Sequence, residues 1–391
     1  MAQKKPASEN SFDRLIALIA ADMGTMGVNV LDPNWKPSFP VLVTLVLCIF
    51  QPYLSVVSLV KYRDSIEQLA EVLSTTMTYI QLMGRSQFYA FKFQREWCCS
   101  MVQNIRQQRA LFGAKDNSAI EELFDRSERR LLILYRVLYW IYIATMLSFL
   151  TVTLVYPDPR KYNLLLAFQF PFLPVEQPLW WYFTYLYQCA MFWNTIHMLI
   201  TIDGIMVMSL TSVRSRISAL KLMLRTLDEK ILAAPWQRTE HLEPELHRII
   251  ELHVSIKQFM KDLTGSFKVH FFLIFGTGCL EICTLLSMIA IEPRTPIYPY
   301  LAATTSQLFV MCFFGNLLLI ENDGLADCVY CIHWYRLSVR QQKKIKFIIA
   351  NAQPEMKANA ILMPVTMASF VTVVRAGYSY FAILQRTHRH D

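Results

Sequence analysis

The sequence predicts an all-α membrane protein, a bundle of seven transmembrane helices. Seven apolar stretches approach or exceed the ~20 residues that cross a bilayer. The chain is 54% hydrophobic and only 17% charged, whereas a soluble domain is about 25% charged. Most Lys and Arg residues lie in alternate segments between the stretches, namely 1–37, 92–130, 211–268 and 321–357. Basic loops stay cytoplasmic, so we expect a cytoplasmic N-terminus and, after seven crossings, an extracellular C-terminus.

The N-terminal segment, residues 1–37, is expected to lie on the cytoplasmic side. Residues 12–27 place apolar side chains on one helical face, which predicts an amphipathic helix lying in the inner membrane interface. The side chains of that face are Phe12, Leu15, Ile16 and Ile19. The first crossing, Phe39 to Val60, follows and holds no charged residue.

Crossings two to four enclose one ambiguous segment. Crossing two, at about 69–91, carries acidic and basic residues, so its polar face should meet protein or a water-filled cavity rather than lipid. Crossings three and four occupy about 131–156 and 180–210. Between them, the apolar residues 162–175 are short and broken by two prolines. We expect them to form an outer loop folded back over the bundle.

The last three crossings are expected at 269–291, 298–320 and 358–385, with a cytoplasmic amphipathic helix over 324–350. The chain then has four parts. They are a cytoplasmic segment with an interfacial helix, six membrane helices with cytoplasmic extensions, an anchor helix, and a pore-lining helix with a short extracellular tail. Their boundaries are 1–37, 38–320, 321–357 and 358–391.

Composition and motifs argue against several function classes. The net charge of +8 lies beside apolar spans, where topology and anionic lipid explain it better than nucleic acid does. No catalytic constellation or Gly-rich phosphate loop stands out, so we expect neither enzyme activity nor a cofactor. The run Cys328-Val-Tyr-Cys331-Ile-His333 resembles the start of a metal site. A structural zinc ion would need a fourth ligand, and none is apparent, so we expect no metal.

A ligand pocket is predicted in the outer halves of crossings two, three, four and six. These halves mix aromatic, methionine and hydroxyl side chains, which suits a small, volatile, hydrophobic ligand that makes a few polar contacts. The same side chains also fill ordinary helix interfaces. The candidates are Thr76, Tyr79, Ile80, Tyr142, Thr145, Met146, Phe149, Gln188, Met191, Thr195, Thr304, Thr305 and Leu308.

Crossing seven carries a stripe of small and hydroxyl residues with one bulky aliphatic residue. Such a stripe is typical of a pore wall with a hydrophobic constriction, although a close-packed helix would look similar. Arg375 lies about 80° from Ile383 around the helix, which suits a cation pore. Arg375 also matches the depth of Glu281 in crossing five, so the two either pair or each meets another polar group. The stripe consists of Thr372, Ala376, Ser379, Ile383 and Thr387.

The end of the chain resembles the insect odorant receptors. Arg375-Ala-Gly-Tyr378-Ser379-Tyr380-Phe381-Ala-Ile383-Leu384-Gln385 is similar to the family's basic-x-x-Tyr-Ser-x-Phe-x-x-Leu pattern in the last helix. Phe313-Phe314-Gly315-Asn316, followed by Glu321, is also similar. The resemblance implies a ligand-gated, non-selective cation channel whose subunits form tetramers with a shared co-receptor. It implies an intersubunit anchor at 324–350 and a gate at Ile383, Leu384 and Gln385.

The same resemblance implies an odorant site in helices two, three, four and six, and residence in the plasma membrane of a sensory neuron dendrite. The family's co-receptor carries a long insertion for which 211–266 is too short, so a ligand-tuning subunit is expected. Two alternatives stay open. A gustatory-type channel would end in Thr-Tyr-…-Gln-Phe, where this chain has Ser379-Tyr380 and Gln385-Arg386. A G-protein-coupled receptor would have an extracellular N-terminus.

Overall fold

The structure, a computed structural model, is mostly helical in the residues that it describes. Those residues are 11–29, 31–32, 35, 39–113, 118–155, 164–166, 168, 170–171, 173, 177–236, 238–291 and 293–388. Within them, long apolar runs of helical period form α-helices, and prolines and polar turns bound several of these. The one β feature in this part of the chain is an isolated bridge between Asn359 and Pro364.

Ten α-helices and two short 3₁₀ turns follow one another along the described chain. The helices are α1 Ser11–Thr25, α2 Phe39–Lys61, α3 Ile66–Ala90, α4 Lys92–Gly113, α5 Ser118–Val155, α6 Pro178–Ala233, α7 Glu243–Ile291, α8 Ile297–Tyr330, α9 Val339–Ala352 and α10 Met367–His388. The 3₁₀ turns are Glu240–Leu242 and Trp334–Arg336. The central helix is α6, whose middle is buried on nearly every side.

Seven of the described helices, α2, α3, α5, α6, α7, α8 and α10, match the seven predicted crossings and form one bundle. Five of them are long and apolar enough to cross a membrane by length and composition, namely α2, α5, α6, α7 and α8. The more polar helices α3 and α10 both pack along α7. In α3, Gln81 and Arg85 are buried among protein side chains, which relieves the cost of polar groups at membrane depth.

The seventh crossing begins later than the sequence predicts. Its helix, α10, starts at Met367, whereas the apolar pattern predicts a helix from residue 358. The intervening residues form a tight reversal instead. The Ala360 amide donates to the Met363 carbonyl at 2.9 Å, and the Val365 amide donates to the Ala358 carbonyl at 2.8 Å. Pro364 explains the difference, because proline has no amide proton and keeps the residue before it out of the helical region.

The predicted anchor helix is interrupted. α8 ends at Tyr330, and α9 starts only after Ser338. Ser338 and Gln341 form a capping box at the start of α9. In the break, the backbone amide of His333 donates to Asp228 Oδ1 of α6 at 2.7 Å, and its Nδ1 lies 3.0 Å from the same oxygen. These bonds satisfy backbone and side-chain groups at the break, so the chain turns there.

The charged ends of the helices gather at one end of the molecule, which we call the polar end. It comprises α4, the first turns of α5, the last half of α6, the first half of α7, and α9. The amphipathic α1 packs against α5 and α6 beside it, with Phe12, Leu15 and Ile19 buried. The helix and its apolar face are therefore confirmed, while its position in the membrane interface stays a prediction. Lys344 pairs with Glu243, and this hydrogen bond lowers the pKa of the Glu243 carboxyl, joining α9 to α7.

Candidate ligand-binding site

A cavity of about 70 Å³ lies inside the bundle between α3, α5, α6, α7 and α8. One water molecule needs ~10–15 Å³, so the cavity has room for several atoms. Helical spacing positions its wall, because residues three and four apart share a face. The lining residues are Thr75, Thr78, Tyr79, Gln81, Tyr142, Thr145, Leu166, Phe192, Thr195, Ile196, Leu199, Glu281, Tyr300, Ala303, Thr304 and Gln307.

Five of the predicted ligand residues line this cavity: Tyr79, Tyr142, Thr145, Thr195 and Thr304. The others lie beside or behind it, because successive helix positions point about 100° apart. Ile80 is exposed, the Thr76 hydroxyl bonds its own helix at the Val72 carbonyl, and the Phe149 ring packs on Phe192 at 5.2 Å between centroids. The residues outside the lining are Thr76, Ile80, Met146, Phe149, Gln188, Met191, Thr305 and Leu308.

Gln188 does not line the cavity but binds the loop whose Leu166 does. Its Nε2 donates to the carbonyl oxygens of Leu166 at 3.1 Å and Phe168 at 3.0 Å, and its Oε1 accepts from the Leu166 amide at 3.2 Å. Leu166 and Phe168 are buried. The expectation of a loop folded back over the bundle is therefore confirmed for the described residues of 162–175.

A carboxyl group reaches the cavity from α7. Glu281 Oε1 accepts a hydrogen bond from the Thr78 hydroxyl at 2.8 Å. The Tyr300 hydroxyl lies 2.6 Å from that of Thr78 and 3.2 Å from the Ser74 carbonyl oxygen. Arg375 is exposed on α10, while Glu281 is 2% exposed. The possible Glu281–Arg375 pair is therefore not formed, and Glu281 meets hydroxyl groups instead.

A buried charged network lies next to the cavity. Arg85 Nη2 donates to both carboxylate oxygens of Asp203, at 2.9 and 3.1 Å. Gln307 Nε2 donates to Asp203 Oδ2 at 2.7 Å, and His270 Nε2 lies 3.2 Å from Oδ1. Arg85 Nη1 donates to Gln81 Oε1 at 3.1 Å. A buried ion pair is retained without a large cost when such additional bonds satisfy it. The network joins α3, α6, α7 and α8, and two of its members line the cavity.

The cavity is suited to binding rather than to covalent chemistry. The surface that its wall exposes is largely apolar, although eight of the sixteen lining residues are threonine, glutamine or glutamate. Their polar groups can fix the orientation of a bound molecule, as in small-molecule pockets generally. No group of three or more His, Cys, Asp or Glu side chains that could hold a metal occurs in the described part of the chain.

Sequence reasoning missed most of the wall. On crossing six, the signal that could have found it is the spacing of Tyr300, Ala303, Thr304 and Gln307, which recur at three and four residues. The sequence around Leu166 in the loop and Glu281 in α7 does not indicate that they line the cavity, because their positions depend on tertiary packing. The lining residues absent from the predicted set are Thr75, Thr78, Gln81, Leu166, Phe192, Ile196, Leu199, Glu281, Tyr300, Ala303 and Gln307.

The candidate pore residues lie on the outer face of α10. Thr372, Ser379 and Ile383 are exposed, and Ala376 is half-buried. Gly377, on the opposite face, packs closely on α7. A Cβ there would lie 3.1 Å from Ile282 Cγ2. The side chains of three further candidates lie outside the described residues: Leu384, Gln385 and Thr387.

A family model described as 7tm Odorant receptor matches residues 40–378. The chain belongs to this family. Odorant receptor 22c of Drosophila melanogaster is 28% identical over 159 residues, which are 38% of this chain and 39% of that receptor. Odorant receptor Or2 of Anopheles gambiae is 29% identical over 153 residues, which are 37% of this chain and 39% of that receptor. The matched region thus spans about two fifths of these curated odorant receptors.

Solved odorant receptor structures share the fold over nearly the whole chain. The insect olfactory receptor OR5 from Machilis hrabei in complex with eugenol superposes with a TM-score of 0.75 at 15% identity, covering 96% of this chain and 97% of that one. A second structure of OR5 gives 0.67 at 14% identity, covering 95% and 96%. The chain is therefore a multi-pass membrane protein with the odorant receptor fold, and this family consists of receptors rather than enzymes.

Proposed function

We propose that this chain is the ligand-tuning subunit of a ligand-gated, non-selective cation channel and that it binds a small volatile hydrophobic molecule in the cavity. The observation that carries the proposal is the cavity inside the bundle, whose surface is largely apolar, in a chain of the odorant receptor family. Its few polar groups, led by the hydroxyls of Thr78 and Tyr300 at 2.6 Å from each other, would orient one polar group of the ligand. The OR5 receptor of the same fold holds eugenol.

The proposed pore is lined by the exposed face of α10, from Thr372 to Ile383. That face is exposed in the single chain, while the opposite face packs on α7 through Gly377. Exposed small and hydroxyl side chains around one aliphatic residue suit a pore shared between subunits. A ligand opens such a pore only if it binds the open state more tightly than the closed state, and about 1.4 kcal/mol of preference shifts the ratio tenfold.

The proposed assembly is a tetramer with co-receptor subunits in the plasma membrane of a sensory neuron dendrite, with a cytoplasmic N-terminus and an extracellular C-terminus. The alternation of basic segments supports this orientation. Epitope tags at the two termini of intact cells test it. A surface-accessible N-terminal tag or a hidden C-terminal tag would contradict the channel topology and favour a G-protein-coupled receptor.

Cavity filling tests the ligand site. Ala303 lines the cavity, and Ala302 next to it is exposed, so Ala303→Leu and Ala302→Leu make the same chemical change on one turn of α8. Cells that express the chain with a co-receptor are recorded against a panel of volatiles. We expect Ala303→Leu to raise the half-maximal concentration of an activating volatile about tenfold or more, with Ala302→Leu close to the parent. Equal responses from the two variants would place the ligand elsewhere.

A second matched pair tests the gate. Ile383→Ala should widen the constriction and raise the current in the absence of ligand. Val371→Ala removes a branched side chain from the same helix but off the stripe, and it should leave this leak unchanged. Unchanged leak and permeation in Ile383→Ala would exclude a constriction at that position.

A further inference from the structure

A second cavity, of about 390 Å³, lies at the polar end between α5 and α6. We call it the arginine groove. Its wall is mostly polar: three arginines and three serines are joined by one acidic residue and two apolar ones. The lining residues are Ala119, Glu122, Leu123, Arg126, Ser127, Arg130, Arg214, Ser215 and Ser218. It is separate from the ligand cavity, since no residue lines both.

The groove lies where the apolar part of α5 meets the polar end. The exposed positions of this helix form one continuous stripe that recurs at three and four residues. Along this stripe, Arg126 and Arg130 are followed by Ile133, Val137 and Trp140, which are 61%, 49% and 65% exposed, and by the exposed Arg136 among them. Such large apolar side chains on the outside of a membrane helix face lipid acyl chains. A molecule in the groove would therefore stand beside a lipid-covered surface.

The arginines of the groove are only partly neutralised by neighbouring carboxylates. Arg126 donates to Glu122 Oε1 at 2.5 Å, a pair that is more than half exposed and therefore weak. Arg214 Nε has no hydrogen-bond partner among the described residues, and it stands 3.7 Å from Glu321 Oε2. Lys221 holds the other oxygen of Glu321 at 3.0 Å. Even with Glu321 counted beside its partner Lys221, three arginines against one lining carboxylate leave the groove with an excess of positive charge.

We propose that the arginine groove binds the phosphorylated headgroup of an anionic membrane lipid, with its acyl chains on the Ile133–Trp140 surface. Guanidinium groups bind phosphate oxygens in pairs of parallel hydrogen bonds, and the hydroxyls of Ser215 and Ser218 supply further donors. Basic pockets between membrane helices are suited to such headgroups. The apolar surface beside the groove favours a lipid over a free phosphate compound, because it gives the acyl chains a place to lie.

The test uses the purified full-length chain in detergent. The probes are a short-chain phosphatidylinositol bisphosphate, its soluble inositol trisphosphate headgroup, and a short-chain phosphatidylcholine. Binding is read by native mass spectrometry and by thermophoresis. Arg130→Gln/Arg214→Gln removes one charge from each wall of the groove. Arg129→Gln/Arg225→Gln removes the same charges from exposed positions of the same two helices outside it.

We expect the bisphosphate lipid to bind the parent chain and the control variant alike, and the groove variant about tenfold or more weakly. The soluble headgroup should bind more weakly than the lipid, and phosphatidylcholine should not compete. Equal losses in the two double variants would overturn the site, because a diffuse basic surface would explain them. Equal affinity for the lipid and for its soluble headgroup would overturn the lipid assignment.

Discussion

Replacing Asp203 by Asn should destabilise the folded chain by about 3–5 kcal/mol, the range found when one partner of a buried ion pair is removed. The Asp203 carboxylate accepts two bonds from Arg85, at 2.9 and 3.1 Å, and one from Gln307 at 2.7 Å. An asparagine keeps one acceptor oxygen and turns an NH₂ group toward these donors. Arg85, which is 0% exposed, would then carry a buried charge without a counter-charge.

The assay is thermal unfolding of the purified full-length chain, followed with a thiol-reactive dye, because Cys98, Cys283 and Cys312 are buried in the fold. Asp203→Asn should lower the unfolding midpoint by several degrees. Asp323→Asn makes the same change at an exposed position and should leave it nearly unchanged. The double variant Arg85→Met/Asp203→Leu should recover much of the loss, since both charges leave together.

Two results would refute this reasoning. Equal midpoints for Asp203→Asn and Asp323→Asn would mean that the pair contributes nothing to the fold. The single variants Arg85→Met and Asp203→Leu are measured beside the double variant. If the double variant is at least as unstable as the less stable of these two, shape rather than charge balance governs the site.

Three further predictions rest on named contacts. Gly315→Ala should lower the unfolding midpoint, because a Cβ there would overlap the Val365 backbone carbonyl. Gly276→Ala is the control: a Cβ at Gly276 would have no other atom within 4 Å, so this change should leave the stability of the fold unchanged or raise it by up to ~1 kcal/mol. Burial lowers the pKa of His253 to about 4 from ~6.5, so its contribution to stability is present above pH ~6.5 and is lost as the pH falls toward 4. The loss of midpoint between pH 7 and pH 5 should therefore be smaller in His253→Gln than in the parent; equal pH slopes would contradict this. Gln188→Leu should release the loop and shorten ligand residence, seen as faster current decay after washout, and an unchanged decay would exclude a closing role.

Hydrophobic patterning predicted the bundle well because burial and lipid exposure both act on runs of about twenty residues. The first crossing matches α2 closely, and the sixth begins where α8 does, although α8 continues to Tyr330. The same pattern misplaced the start of α10, since residues 358–366 are mostly apolar but form a hydrogen-bonded reversal around Pro364 instead of a helix. It also missed the break after Tyr330, where Asp228 from a distant part of the sequence holds the turn.

The ligand cavity was only partly predictable, and the reason is geometric. Helix identity follows from the pattern, but the phase of each helix depends on its neighbours. Tyr79 and Ile80 are adjacent in sequence, yet only Tyr79 lines the cavity. The hydrogen-bond partners of the polar groups in the cavity were harder still to predict. Glu281 stood out as a buried acid, but its partner Thr78 lies 203 residues away, a distance across which local spacing carries no information.

The length of α6 determines how far its ends move when the helix tilts. Its 56 residues make a stiff rod of roughly 84 Å. Thr195 lines the ligand cavity. Asp228 lies roughly 50 Å further along the same helix and accepts the hydrogen bond from the His333 amide that holds the turn. A tilt of one degree about Thr195 swings Asp228 by about 0.9 Å, a third of a hydrogen bond's length. The turn at His333 therefore moves much further for a given tilt of α6 than the cavity beside Thr195 does.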